Sequence, residues 1–267
     1  VGALLALLFL AAGPSYALLT DSPELLEKIL PNPPVPPHVL VLSGMLMMSV
    51  AGASVSLWQY WTSTGRKWFL FGAFVWFVGV ALKMVWAQLF NGPILGWLID
   101  NTPIQVFLAL GSFYIGTLTG VFEIGITAAL ALLWKRSFED YDKAVAVGIG
   151  AGAIEAYLIG AFVLFVGPSL SRTPLLWLVG PAERLMTIIC HAASRALVLL
   201  AVRTGQKKHF WKAFWLMSLL DTVAAFFHLS GYVDEISPWL MELAVLPFAI
   251  YGLLLLDQCR KSWPNEA

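Results

Sequence analysis

Apolar and polar positions alternate along this chain in long blocks. Seven apolar runs stand out, at roughly 39–60, 68–90, 104–134, 144–166, 174–202, 211–230 and 238–257. Each reaches or approaches the ~20 residues that a helix needs to cross a bilayer. Short polar breaks separate them, and Asn91-Gly92-Pro93, Thr102-Pro103 and Gly167-Pro168 read as punctuation between spans. The pattern predicts an all-α, polytopic bundle of seven transmembrane helices forming one membrane domain over residues 39–257. Upstream, 1–19 is apolar and uncharged, and Ser15-Tyr16-Ala17 has the small outer residues of a cleavage site. That stretch reads as either a signal peptide or an eighth, N-terminal membrane helix. Residues 20–38 are acidic at first and then proline-dense, which predicts an extended loop. Residues 258–267 read as a polar tail. No internal repeat and no soluble domain is visible.

Composition agrees with this reading. The 267 residues are 59% hydrophobic and 12% charged, where a soluble domain carries about 25% charged residues. The apolar composition makes the lipid bilayer the partner, and because sixteen basic and sixteen acidic residues cancel, net charge suggests no nucleic-acid partner. The placement of the basic residues says more. Arg66, Lys67, Lys135, Arg136, Lys143, Arg203, Lys207, Lys208, Lys212, Arg260 and Lys261 fall at one set of loops, and only Lys28 and Arg172 at the other. The positive-inside rule then predicts a cytoplasmic C-terminus and an external 20–38 loop. Cys190 and Cys259 form no CxxC motif and are not expected to pair. Tryptophans near span ends, such as Trp61, Trp97 and Trp211, read as an interfacial belt.

Ionisable residues inside the spans are the candidate chemistry. They are Lys83, Glu123, Glu155, Glu183, Arg184, His191, Arg195, Asp221, His228 and, near a span end, Glu242. Each charged side chain at a span centre costs roughly 2.5–3.5 kcal/mol on insertion scales, so such residues face the bundle interior and find partners there. The stretch Glu183 to Arg195 is the densest. Arg184, His191 and Arg195 share one helical face. Counted from the ends of their own spans, Glu123, Glu155, His191 and Asp221 fall at one level, roughly 15–18 Å deep. Glu183 and His228 fall nearer the outer end. Lys83 reads as a snorkelling or ion-paired lysine. Carboxylates and imidazole converging at one depth suit zinc, which would polarise a carbonyl and activate a water. The same residues also suit a buried ion-pair network or a polar transport path. Gly148, Gly150 and Gly152 read as a close helix approach, not as a phosphate cradle. The last span holds no lysine, which argues against a retinal protein.

Three fragments carry a resemblance. Gly120-Val121-Phe122-Glu123, then Gly148-Ile149-Gly150-Ala151-Gly152-Ala153-Ile154-Glu155-Ala156, then Glu183-Arg184 with His191 two turns on, followed by Asp221, resemble the YhfC family of membrane peptidases. That family is similar to the CAAX-protease and PrsW intramembrane metalloproteases. The resemblance spans roughly 40–257. It implies an integral protein of a prokaryotic cell membrane that hydrolyses a peptide bond in a membrane-protein or peptide substrate. It implies zinc, with Glu123 as general base, Glu155 and His191 as the first ligands and Asp221 and His228 as further ones. Glu183, Arg184 and Arg195 would support them. The departures are specific. Ile124 follows Glu123 where the family pairs two glutamates, and Thr127 and Ala128 stand where it has arginine. Ala151 and Met217 stand where it has histidine. Glu155 matches the Phe-x-x-x-Glu variant of the PrsW group. A relative that has lost catalysis and binds a partner or peptide through the same cavity is the alternative, with a transporter as a third.

Overall fold

In a bilayer every backbone N–H and C=O must be satisfied inside its own segment, so apolar runs of this length fold as helices. A computed structural model describes residues 37–133, 140–165, 176–231 and 238–264. Among the described residues there are no strands. Seven helices are long and apolar enough to span a membrane: α1 (Pro37–Thr62), α2 (Arg66–Asn101), α3 (Ile104–Leu133), α4 (Tyr141–Phe165), α5 (Leu176–Thr204), α6 (Lys207–Ser230) and α7 (Pro238–Ser262). Residues 1–36, on which the signal peptide or eighth helix and most of the predicted external loop fall, lie outside the described residues.

Three boundaries differ from the sequence expectation. Asn91-Gly92-Pro93 does not end a span: α2 runs through Pro93 to Asn101, 36 residues in all. Within a packed bundle the missing proline N–H is tolerated. Asn91 is buried and accepts a 2.9 Å hydrogen bond from Tyr114 Oη, so its polarity is spent inside the protein and not on a turn. At the start, Pro37 and His38 belong to α1 and not to the loop, since proline is tolerated in a first helical turn. At the end, α7 continues past 257 to Ser262, with the Lys261–Asp257 pair one turn apart on its surface.

The centre of the bundle is α5. Of its most apolar 18-residue window 83% is buried, against 28–50% for the other six spans. It packs against α1, α4, α6 and α7 and touches α3. Its small residues Ala192, Ala193, Ala196 and Ser194 make that possible, because they let neighbouring backbones close in. The approach is tightest at α4. A Cβ on Gly148 would collide with the backbone of His191 and Ala192, and one on Gly150 with the backbone of Phe69 on α2. The glycine run therefore wedges α4 between two helices and fixes the distance from Glu155 to the face of α5. Both cysteines are free and buried.

Candidate functional site

Within α3 the helix widens. Residues Gly120–Ile124 form one π-helical turn between regular segments, with the Gly125 N–H reaching back to the carbonyl of Gly120. Such turns recur at functional positions because the extra residue re-aims a side chain. Here that side chain is Glu123, which is buried. Thr127 Oγ1 donates to the Glu123 carbonyl at 2.6 Å, taking up an acceptor in the widened turn.

Glu123 sits between two cations. Lys83 Nζ donates to its Oε1 at 2.8 Å, and Arg195 Nη2 to its Oε2 at 2.9 Å. Lys83 also donates to Thr119 Oγ1 at 3.2 Å and lies 3.9 Å from Asp221 Oδ2. Thr119 donates in turn to Asp221. Glu155 anchors the other half. It accepts from Arg184 Nη1 at 2.6 Å on Oε1, and from Trp76 Nε1 at 3.0 Å on Oε2. His191 Nε2 lies 2.8 Å from the same Oε2. Arg184 also pairs with Glu183. Charged hydrogen bonds of this kind are about twice as strong as neutral ones, and in a low dielectric they hold the side chains in fixed positions.

The two halves meet. One ligand atom each from Glu123, Glu155 and His191, on three different helices, can be chosen so that all lie within 4.8 Å of one another. They face a cavity of about 270 Å³ whose wall also includes Trp76, Lys83, Thr119, Met217 and Asp221. Trp76, Val80, Lys83, Met84, Ala87 and Asn91 supply one whole side of it from a single face of α2. Its lining is mostly apolar with a few converging polar groups, the usual character of a small-ligand site.

Seven of the eight residues singled out from sequence thus belong to one connected cluster, and one does not. His228 lies seven residues beyond Asp221 along α6, about 10 Å further on at the helical rise. Among the described residues it is absent from the cavity wall and from the ligand group of Glu123, Glu155 and His191. Its similarity in depth to Glu183 does not bring it to the shared face. Asp221 lines the cavity but stands outside the three-residue ligand group, with Lys83 and Thr119 between it and Glu123. Of the two readings of Lys83 the ion-paired one holds, since it pairs with Glu123 at 2.8 Å and lies 3.9 Å from Asp221. Trp76, one of the donors to Glu155, is the partner that sequence reasoning missed. The seven-residue spacing of Trp76 and Lys83 along α2 was the available signal.

The fold and site together define a polytopic helical membrane protein with a charged cluster and a cavity inside the bundle. No protein-family model matches the chain, and neither does any curated protein or solved structure.

Proposed function

We propose that this protein is an intramembrane hydrolase of the metallopeptidase type, acting on a peptide bond at the buried cavity. One observation carries the reading: Glu123, Glu155 and His191 offer three ligand atoms within 4.8 Å beside that cavity. Two carboxylates and an imidazole are a zinc-type donor set, and three protein ligands leave a position for water or substrate. The donors have capacity. A carboxylate has about four lone-pair sites, of which Glu123 fills two and Glu155 three. The ion would supply a polarised carbonyl and an activated water.

The chain's own residues do the rest. Glu123 serves as a ligand in this geometry, and the general-base role moves to Asp221. That carboxylate lines the cavity, holds Thr119 and Lys83 at Oδ2, and its side chain is 35% exposed. Asp221 would take the proton of the attacking water and return it to the leaving amine as the C–N bond breaks. Lys83, with 23% of its side chain exposed beside the cavity, offers a positive charge to the developing oxyanion. Arg195 and Arg184 are positioning residues that hold Glu123 and Glu155.

A second reading, an inactive relative that binds a partner or peptide, has its own support. Every carboxylate oxygen of Glu123 and Glu155 already accepts from a cation or an N–H. His191 Nδ1 is buried without a partner, whereas a ligating histidine normally donates its second N–H to an acceptor. Ala151 and Met217 are apolar and buried where the resembling family has histidines. Metal content separates the two. An enzyme should purify with about one divalent ion per chain, and His191→Ala should lose it together with cleavage of a tagged membrane peptide. Stable wild-type protein that neither retains nor takes up zinc, cobalt or manganese overturns the peptidase reading.

A further inference from the structure

A second cavity, of about 300 Å³, lies away from the central site, between the start of α6, the end of α7 and Leu197 of α5. Its wall includes Lys208, His209, Lys212, Gln258 and Lys261. Three lysines with one histidine make it the most basic concavity of the two. Lys208 forms no ion pair among the described residues, and Lys212 has only a 3.4 Å hydrogen bond to Gln258 Oε1. The acid nearby, Asp257, is already paired with Lys261 at 2.5 Å. Among the described residues two ammonium groups are thus left without a counter-charge.

Two further observations point to an anion. The cavity lies at the N-terminus of α6, a 24-residue helix whose first turn receives no side-chain cap. Free N–H groups and the helix dipole favour a negative group there. His209 lines the cavity, is 8% exposed, and its Nδ1 has no hydrogen-bond partner. Its Nε2 contacts Gln206 Oε1 at 3.3 Å. Turning the Gln206 amide, whose two ends are interchangeable, lets it donate to Nε2 and leaves Nδ1–H as a donor. A buried donor beside two unpaired lysines and an uncapped helix start fits a phosphate oxygen. Basic pockets between spanning helices hold lipid head groups, and this one opens at the ends of three of them. Trp211, half exposed one residue from Lys212, marks the level as interfacial.

We propose that this cavity binds the phosphate head group of an anionic phospholipid, with Lys208, Lys212 and His209 as its ligands. The site is independent of the chemistry of the central cluster.

The test uses full-length protein in detergent, with lipid retention read by native mass spectrometry and the thermal midpoint read on lipid addition. Phosphatidylglycerol should be retained and should raise the midpoint, whereas phosphatidylcholine should not. Lys208→Gln with Lys212→Gln should weaken phosphatidylglycerol binding by roughly tenfold or more, since each basic residue contributes about 1 kcal/mol near an anionic head group. His209→Phe should weaken it while leaving net charge unchanged. A charge-matched control, Arg66→Gln with Lys67→Gln, should leave it intact. Equal retention of both lipids, or equal loss in the control, would mean general surface attraction and overturn the site. Stabilisation by inorganic phosphate equal to that by the lipid would assign a soluble phosphate instead and overturn the lipid assignment.

Discussion

Neutralising Glu123 is the sharpest probe of the central cluster. Glu123 is 3% exposed, and its two oxygens hold two different cations at 2.8 and 2.9 Å. In Glu123→Gln the size is kept, but only one end of the amide can accept. The other end presents an N–H₂ to Lys83 or Arg195, so one cation loses its acceptor and faces a donor. Arg195 is the worse placed of the two. Its side chain is fully buried, its Nε already lacks a partner, and its remaining hydrogen bond runs to Ser194 Oγ at 3.0 Å. Breaking a buried pair costs about 3–5 kcal/mol. At ~2–4 °C per kcal/mol for a chain of this order of size, the thermal midpoint in detergent should fall by roughly 6–20 °C. Lys261→Gln breaks the exposed pair with Asp257 and serves as the control, with an expected change of ~0–1 kcal/mol. Adding Arg195→Met to Glu123→Gln should recover much of the loss, because an apolar replacement removes the uncompensated charge. A Glu123→Gln midpoint within a degree or two of wild type would refute the network. A general base with no structural partners would have behaved in just that way, so stability and peptide cleavage must be measured on the same variant.

Other outcomes follow from the same geometry. Gly148→Val should abolish folded yield, because its Cβ would meet the α5 backbone at Ala192 and no rotamer relieves that; fluorescence-detected size exclusion checks it. Lys83→Met should remove the positive charge between Glu123 and Asp221, lowering peptide cleavage more than thermal stability, since Arg195 still holds Glu123. Asp221→Asn should abolish cleavage while zinc content, measured by atomic emission, stays at the wild-type level; loss of the metal would move Asp221 into the ligand set. For orientation, a cysteine replacing Ser137 should be shielded from an impermeant thiol reagent in intact cells and one replacing Ser171 labelled, and the reverse pattern would invert the positive-inside assignment.

The helices were readable because hydropathy and length act locally. A run of twenty apolar residues has one low-energy solution in a bilayer, whatever surrounds it. The errors fall where tertiary contacts override a local signal. Asn91-Gly92-Pro93 has turn chemistry, yet Tyr114 on α3 takes up the Asn91 side chain and α2 carries on. Nothing within α2 announces Tyr114. Likewise the glycines of α4 were readable as a close approach, but not that Gly148 faces α5 while Gly150 faces α2, since that depends on which helices flank the strip.

Depth along each span was enough to collect Glu123, Glu155, His191 and Asp221, but depth has no angular coordinate. His228 shows the consequence. By sequence count it shares a level with Glu183, but it is seven residues from Asp221 and off the cavity wall, which no count along α6 could tell. Roles depend on the same missing coordinate. In sequence Lys83 is one lysine amid apolar residues, readable as snorkelling toward an interface or as ion-paired, with no partner to name. In space the π-turn at Gly120–Ile124 swings Glu123 to within 2.8 Å of it, and Asp221 comes to 3.9 Å from the other side. One cation then ties two carboxylates that sequence had ranked separately as base and ligand. Removing Lys83 therefore acts on both at once, and single changes at Glu123 and Asp221 cannot be additive, because they share that partner. A double-mutant cycle between Glu123→Gln and Asp221→Asn should show a coupling of at least ~0.5 kcal/mol in thermal stability. With Lys83→Met in the background the coupling should vanish. Coupling that persists without Lys83 would mean that the two carboxylates meet directly, and that the lysine is not the bridge.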